Sequence, residues 1–137
     1  MPYILLIEDD ADQRQEMREF FERRGNTVRD VGKLAEARHA LSEREPDVVV
    51  SDINLPDGDG ASFCVELAPR CPRTKWLLIS GDPNAAQRSR QLKLDADAPP
   101  YSVLNKPVPL RMLDDFVRLA TLAAAASRSG GGGPLAR

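Results

Sequence analysis

The sequence is poor in histidine and cysteine. His39 is the single histidine, and Cys64 and Cys71 stand on either side of Pro69 without C-x-x-C spacing. A zinc site needs several closely spaced Cys or His ligands, so such a site is poorly supported. We expect both thiols to be reduced and structural. We expect His39, which lies off the apolar stripe of its segment, to face solvent.

Long apolar runs and stripes of one charge sign are also missing. The N-terminus, MPYILLIEDD, lacks the basic region and the small-residue cleavage site of a signal peptide. The 19 basic and 21 acidic residues are interspersed and give a net charge of -2. These features speak against nucleic acid as a direct partner and against a membrane surface or span. They predict a cytoplasmic protein by default.

The apolar residues are organised as short runs that alternate with helical patterns. Runs of strand length occupy residues 3–7, 46–52, 75–80 and 101–106, and a weaker run occupies 27–31. Helical patterns occupy 11–24, a segment around Leu34, 60–68, 83–94 and 109–126, and the first ends at a Gly25-Asn26 C-cap signal. Five strands alternating with five helices predict a doubly wound α/β fold with a parallel sheet covered on both faces.

The 137 residues suffice for one compact domain with a single core. The C-terminal stretch SRSGGGGPLAR has no periodicity and is dominated by glycine. We therefore expect one domain over residues 1–126 and a flexible Gly-rich tail over residues 127–137.

Polar residues follow several predicted strands directly. They are Glu8-Asp9-Asp10, Asp52, Ser80 and Lys106. Asp52 ends a run of three valines, where an ionised carboxylate is costly to bury without a partner. The carboxyl ends of parallel strands meet at one edge of the sheet, which is where ligands bind in this class of fold. The sequence thus predicts one site built from these residues.

Carboxylates brought together repel and raise one another's pKa unless a hard cation joins them, and Mg²⁺ is the best fit. Lys106 and Ser80 could contact Asp52 or an anion attached to it. This chemistry predicts a site for a phosphoryl group on an aspartate. Each feature also has a purely structural interpretation: Asp10 followed by Gln13 is typical of a helix N-cap, and Asp52 could cap a turn.

Four motifs in order make the chain resemble the receiver domain of two-component response regulators. They are LLIEDD, VVVSDINLPDGDG, LLIS followed by Gly81, and NKP at 105–107. The resemblance covers residues 3 to about 126. It implies a flavodoxin-like sheet with strand order 2-1-3-4-5 and five helices, and a cis peptide bond between Lys106 and Pro107.

The resemblance also implies a role for each site residue. Asp52 is the expected phosphoacceptor, Lys106 and Ser80 its catalytic partners, and Glu8, Asp9, Asp52 and the backbone carbonyl of Asn54 the ligands of Mg²⁺. The expected donor is a sensor histidine kinase or a histidine phosphotransfer protein. Self-catalysed transfer and hydrolysis are implied rather than a dedicated enzyme activity, and a homodimer and an output partner of unknown identity are compatible with it.

Two other functions stay open from the sequence. A haloacid-dehalogenase-like phosphatase also uses an aspartate after a strand, but Asn54 stands where that enzyme needs a second acid as proton donor. A phosphorylation-independent interaction module would keep the fold without the chemistry. Val103 occupies the position three before the lysine where receivers usually carry an aromatic switch residue, and Tyr101 lies two positions earlier.

Overall fold

The computed structural model describes residues 2–82 and 100–132, with the side chains of the last helix described as far as residue 122. The strands are β1 (Tyr3–Ile7), β2 (Thr27–Val31), β3 (Val48–Asp52), β4 (Lys75–Ser80) and β5 (Tyr101–Asn105). The helices are α1 (Ala11–Arg23), α2 (Leu34–Glu43), α3 (Gly60–Leu67), a 3₁₀ turn (Ala68–Arg70) and α4 (Leu110–Gly132). A short hairpin, Asn54–Leu55 with Gly58–Asp59, lies between β3 and α3.

The five strands form one parallel sheet in the order β2-β1-β3-β4-β5. This confirms the predicted fold class and strand order. The described residues contain four α-helices, and the helix predicted over 83–94 lies outside them. The last helix continues to Gly132, past residue 126, where the sequence predicts the domain to end.

Successive strand residues point to opposite faces of the sheet, so each strand contributes to two cores. Leu5, Val49 and Trp76 pack with α2 and α3 on one face. Ile4, Leu6, Val48 and Val50 pack with α1 and α4 on the other face. The valines of β3 are fully buried, as their continuous apolar run predicts.

Helix α1 has the ends that the sequence predicts. The side chain of Asp10 accepts hydrogen bonds from the backbone N–H groups of Asp12 and Gln13, each at 3.0 Å. Gly25 has φ +90, a conformation that glycine adopts without steric cost just after a helix. Because β1 ends at Ile7 and α1 begins at Ala11, Glu8 and Asp9 lie in the short connection between them.

Candidate functional site

The register of the sheet brings the ends of three strands together. Ile7 pairs with Ser51, and Asp52 pairs with Ile79, so β1, β3 and β4 end side by side. The side chains at these ends are buried although they are polar: Glu8 is 3%, Asp52 5% and Ser80 3% exposed. The predicted convergence of distant residues at one edge of the sheet is confirmed.

Glu8, Asp9 and Asp52 form an acidic cluster. One carboxylate oxygen of each lies within 4.8 Å of those of the other two, and Asp9 is the exposed member. Burial and the neighbouring Asp52 carboxylate raise the pKa of Glu8 from its ordinary 4.5 to about 8, although a hydrogen bond from the Asp10 N–H opposes the rise. Burial is the largest cause of the rise, and the repulsion from Asp52 that the sequence predicts contributes to it.

Lys106 lies beside the buried acids. Its Nζ is 3.1 Å from Oδ1 of Asp52 and 4.0 Å from Oε1 of Glu8. Burial lowers the pKa of Lys106, but Asp52 and Glu8 raise it more, so the net direction is upward and the side chain is a cation. The peptide bond to Pro107 is cis, as the resemblance implies.

Ser80 connects the site to the neighbouring strand. Its Oγ accepts a hydrogen bond from the N–H of Asp82 at 3.0 Å, and its carbonyl oxygen accepts one from the N–H of Lys106 at 2.7 Å. An accepting hydroxyl keeps its own hydrogen for a further acceptor. Ser80 is therefore placed at the strand end where it can donate to an anion on the same edge.

Two features of the site have no local signal in the sequence. Nη1 of Arg14 donates to the backbone carbonyl of Glu8 at 2.8 Å, and its Nε forms an ion pair with Asp30 at 3.3 Å. Gly60 lies so close to Asp52 that a Cβ there would overlap the Asp52 carbonyl oxygen. The Arg14 contact joins α1 to the connection that precedes it. The close approach of Gly60 to Asp52 depends on how the start of α3 lies against the end of β3.

The donor set fits a hard divalent cation. Oδ1 of Asp52 is buried and has no hydrogen-bond partner in the described part of the chain apart from the ion pair with Nζ of Lys106 at 3.1 Å. Three carboxylates near one point, one of them without a donor, match the oxygen ligands that Mg²⁺ prefers. Asn54 stands two residues past Asp52 in the exposed hairpin, where its backbone carbonyl is the predicted further ligand.

Comparison with known families identifies the family of this chain. The family model of the response regulator receiver domain matches residues 4–118, so the chain belongs to that family. The response regulator receiver protein CpdR of Brucella abortus is 34% identical over 129 residues, which are 90% of this chain and 100% of CpdR. The transcriptional regulatory protein GltR of Pseudomonas aeruginosa is 33% identical over 96 residues, which are 69% of this chain and 40% of GltR.

Solved structures show the same fold. The receiver domain of an HD domain-containing protein from Pseudomonas fluorescens Pf-5 superposes with a TM-score of 0.78 at 24% identity, covering 93% of this chain and 92% of that one. A CheY-like receiver domain protein from Methanospirillum hungatei gives the same TM-score at 20% identity, covering 93% and 98%. Across residues 2–82 and 100–132, none of the helices combines the length and apolar character needed to cross a bilayer.

Proposed function

We propose that the chain is a phosphoacceptor signalling domain whose Asp52 takes a phosphoryl group from a phosphohistidine. The observation that carries the proposal is the pairing of buried Asp52 with Lys106 at 3.1 Å beside a second buried acid. Family membership supports the reaction, and the geometry supports the choice of residue. The aligned region is 40% of GltR, so the chain spans less than half of that regulator. The activity of any longer protein that contains this domain is therefore part of the proposal.

The transfer needs a positioned nucleophile and positive charge around the transferred oxygens. An Asp52 carboxylate oxygen attacks phosphorus, the P–N bond to the donor histidine breaks, and its electron pair stays on the imidazole nitrogen. The product is an acyl phosphate. Lys106 neutralises one phosphoryl oxygen and the Ser80 hydroxyl donates to another.

We propose that Glu8, Asp9, Asp52 and the Asn54 carbonyl hold Mg²⁺. When bound, the ion supplies charge neutralisation for the phosphoryl oxygens and the carboxylates. Hydrolysis reverses the modification: water attacks phosphorus, the P–O bond to Asp52 breaks with its electron pair staying on the carboxylate, and phosphate leaves as H₂PO₄⁻ with both hydrogens of the water. Transfer and hydrolysis are both proposed to be self-catalysed rather than the work of a dedicated enzyme.

The donor is proposed to be a histidine kinase or a histidine phosphotransfer protein. A relative named sensor kinase CckA, from Brucella abortus, is 32% identical over 117 residues, although these are 12% of that protein. A cytoplasmic location, a homodimer and the division into a domain of residues 1–126 and a tail stay predictions from the sequence. A phosphatase of the haloacid dehalogenase type is not favoured by the family match.

The test is phosphorylation of the purified chain by acetyl phosphate, followed by intact mass. With Mg²⁺ we expect the mass increase of one phosphoryl group, and with EDTA we expect none. Asp52→Asn should stay unmodified, and Lys106→Ala should be modified at least 10-fold more slowly because one oxygen loses its cation. An unmodified parent chain with Mg²⁺ present would favour the phosphorylation-independent module.

A further inference from the structure

Helix α2 is capped by a residue from the hairpin that follows Asp52. The two carboxylate oxygens of Asp57 accept hydrogen bonds from the N–H groups of Leu34 at 2.8 Å and Ala35 at 2.9 Å. These N–H groups begin the helix and have no acceptor within it. Lys33 occupies the N-cap position with extended backbone, but a lysine side chain has no acceptor atom. The cap is therefore supplied from a distant part of the chain.

The hairpin also touches α2 through its backbone. A Cβ on Gly58 would come within 2.9 Å of Cδ1 of Leu34, so the turn lies directly on the first residue of the helix. Leu55 packs against the core beneath α2 and α3. Asp57 and Leu55 thus fasten the two sides of the turn to the body of the domain.

Asn54 belongs to this fastened hairpin. It pairs with Asp59, whose side chain accepts a hydrogen bond from the N–H of Ala61 at 2.9 Å and so caps α3. The N–H of Gly60 donates to the carbonyl of Ile53 at 2.7 Å. The path from β3 to α3 is held at its start and end by these bonds, and at its exposed turn by Asp57.

Resting on the proposed function, we propose that Asp57 is a positioning residue for the cation site, which holds the Asn54 carbonyl in place by tying the hairpin to α2. Asp57 is exposed and is not one of the acidic cluster, so it acts through the hairpin rather than on the ion. The Leu34 and Ala35 N–H groups lower its pKa, so the carboxylate is ionised and the tie is intact at neutral pH. A cap that only stabilised α2 would have no effect on the cation.

The first measurement compares Mg²⁺ binding by the full chain and by Asp57→Ala, using calorimetric titration well below the unfolding temperature. We expect binding about 10-fold weaker in the variant, as is usual when a residue that orients a ligand is removed. The loss of the cap should also lower the unfolding temperature in EDTA by roughly 4 °C. Circular dichroism checks that the variant is folded during the titration.

The matched control restores the cap without the tie. Lys33→Ser and Lys33→Asn are made separately in the Asp57→Ala background, because Ser or Asn at the N-cap can accept hydrogen bonds from the first turn. The double variant whose unfolding temperature returns to the parental value is used for the titration. Lys33→Ser alone controls for the lost lysine. We expect the double variant to regain stability and to stay about 10-fold weaker in Mg²⁺ binding.

The outcomes separate the inference from the function on which it rests. Parental Mg²⁺ affinity in Asp57→Ala, or in the stability-restored double variant, would show that Asp57 is only a helix cap and overturn the inference. A parent chain that binds no Mg²⁺ would overturn the proposed cation site and the inference with it. Asp57→Asn, which keeps one acceptor oxygen, should bind Mg²⁺ with an affinity between those of the parent and Asp57→Ala.

Discussion

At the scale of single residues, the site buries more negative charge than its one lysine can neutralise. Glu8 and Asp52 are almost completely buried next to each other, and Lys106 provides one positive charge for both. Two buried carboxylates facing one ammonium group leave an excess negative charge, which the chain meets by keeping Glu8 protonated to an unusually high pH. A divalent cation would remove that excess.

This arrangement predicts that, without Mg²⁺, stability falls as the pH rises. The folded-state pKa of Glu8 is about 8, above its ordinary 4.5. The contribution of protonated Glu8 is therefore fully present below about pH 4.5 and is lost as the pH rises through about 8, with a total on the order of a few kcal/mol. Urea unfolding in EDTA between pH 5 and pH 8 measures it.

Glu8→Gln is the control for this pH dependence. Its amide is neutral throughout, so its stability should change less between pH 5 and pH 8 than that of the parent. Adding Mg²⁺ to the parent at pH 8 should recover stability, because a ligand of the folded state stabilises it. Equal pH slopes for the parent and Glu8→Gln would mean that Glu8 titrates normally.

Gly60 gives a second prediction at this scale. A side chain there would overlap the Asp52 carbonyl oxygen and lie 3.3 Å from Cα of Ile53, and both are backbone atoms that cannot turn away. Gly60→Ala should cost roughly 1–3 kcal/mol in urea unfolding. Gly81→Ala is the control, since among residues 2–82 and 100–132 nothing lies within 4 Å of its Cβ position, and its cost should be within about 0.5 kcal/mol. Similar costs for both variants would contradict the predicted clash.

At the scale of elements, β4 and β5 link the site to the edge of the sheet. Ser80 pairs with Asn105, and its carbonyl oxygen accepts from the N–H of Lys106, so movement of Ser80 toward a phosphoryl group would reach β5 through the backbone. Val103 is stiff at χ1 and has no ring to reorient. Tyr101 lies on the same face of β5, half-buried against the core beneath α2 and α3.

We therefore predict a response that involves Tyr101 rather than Val103. Adding a beryllofluoride phosphate mimic with Mg²⁺ should shift the amide NMR signals of residues near Ser80 and of β5, and should shift those of residues 110–120 little. A ligand shifts the balance between two states only by as much as its interaction with them differs. If Tyr101 carries the difference into β5, Tyr101→Ala should reduce the shifts in β5. Large changes throughout 110–120 that persist in Tyr101→Ala would count against this prediction.

The boundaries of the elements show which parts of the fold can be predicted from local sequence. The sequence ranges for β2 and β4 are those of the structure, because their apolar patterns end at polar residues or turns. For the segment after β3 the sequence indicates only a turn that Asp52 could cap, and the hairpin is a finding of the structure. Its tie to α2 could not be predicted, because Asp57 caps a helix 23 residues earlier whose own N-cap position is a lysine. Contacts of this kind depend on tertiary structure and leave no periodic pattern.

At the scale of the whole molecule, topology assembles the site. Glu8, Asp52 and Lys106 are far apart in sequence, and the parallel sheet in the order β2-β1-β3-β4-β5 brings the ends of β1, β3 and β5 to the same edge. The fold could be predicted because strands and helices alternate with clear periods. The residues that meet at this edge could be predicted because each ends its strand or follows it directly, whereas the distances, the buried Asp52 oxygen without a hydrogen bond and the raised pKa of Glu8 required the structure.

The most direct test of the central claim is to locate the phosphoryl group chemically. The chain is treated with acetyl phosphate and Mg²⁺, reduced with borohydride, digested and analysed by peptide mass spectrometry. Borohydride converts an aspartyl phosphate to homoserine, so the account predicts homoserine at position 52 with Mg²⁺ and none with EDTA. Homoserine at another aspartate, or an unaltered Asp52 in a chain that has gained a phosphoryl group, would contradict it.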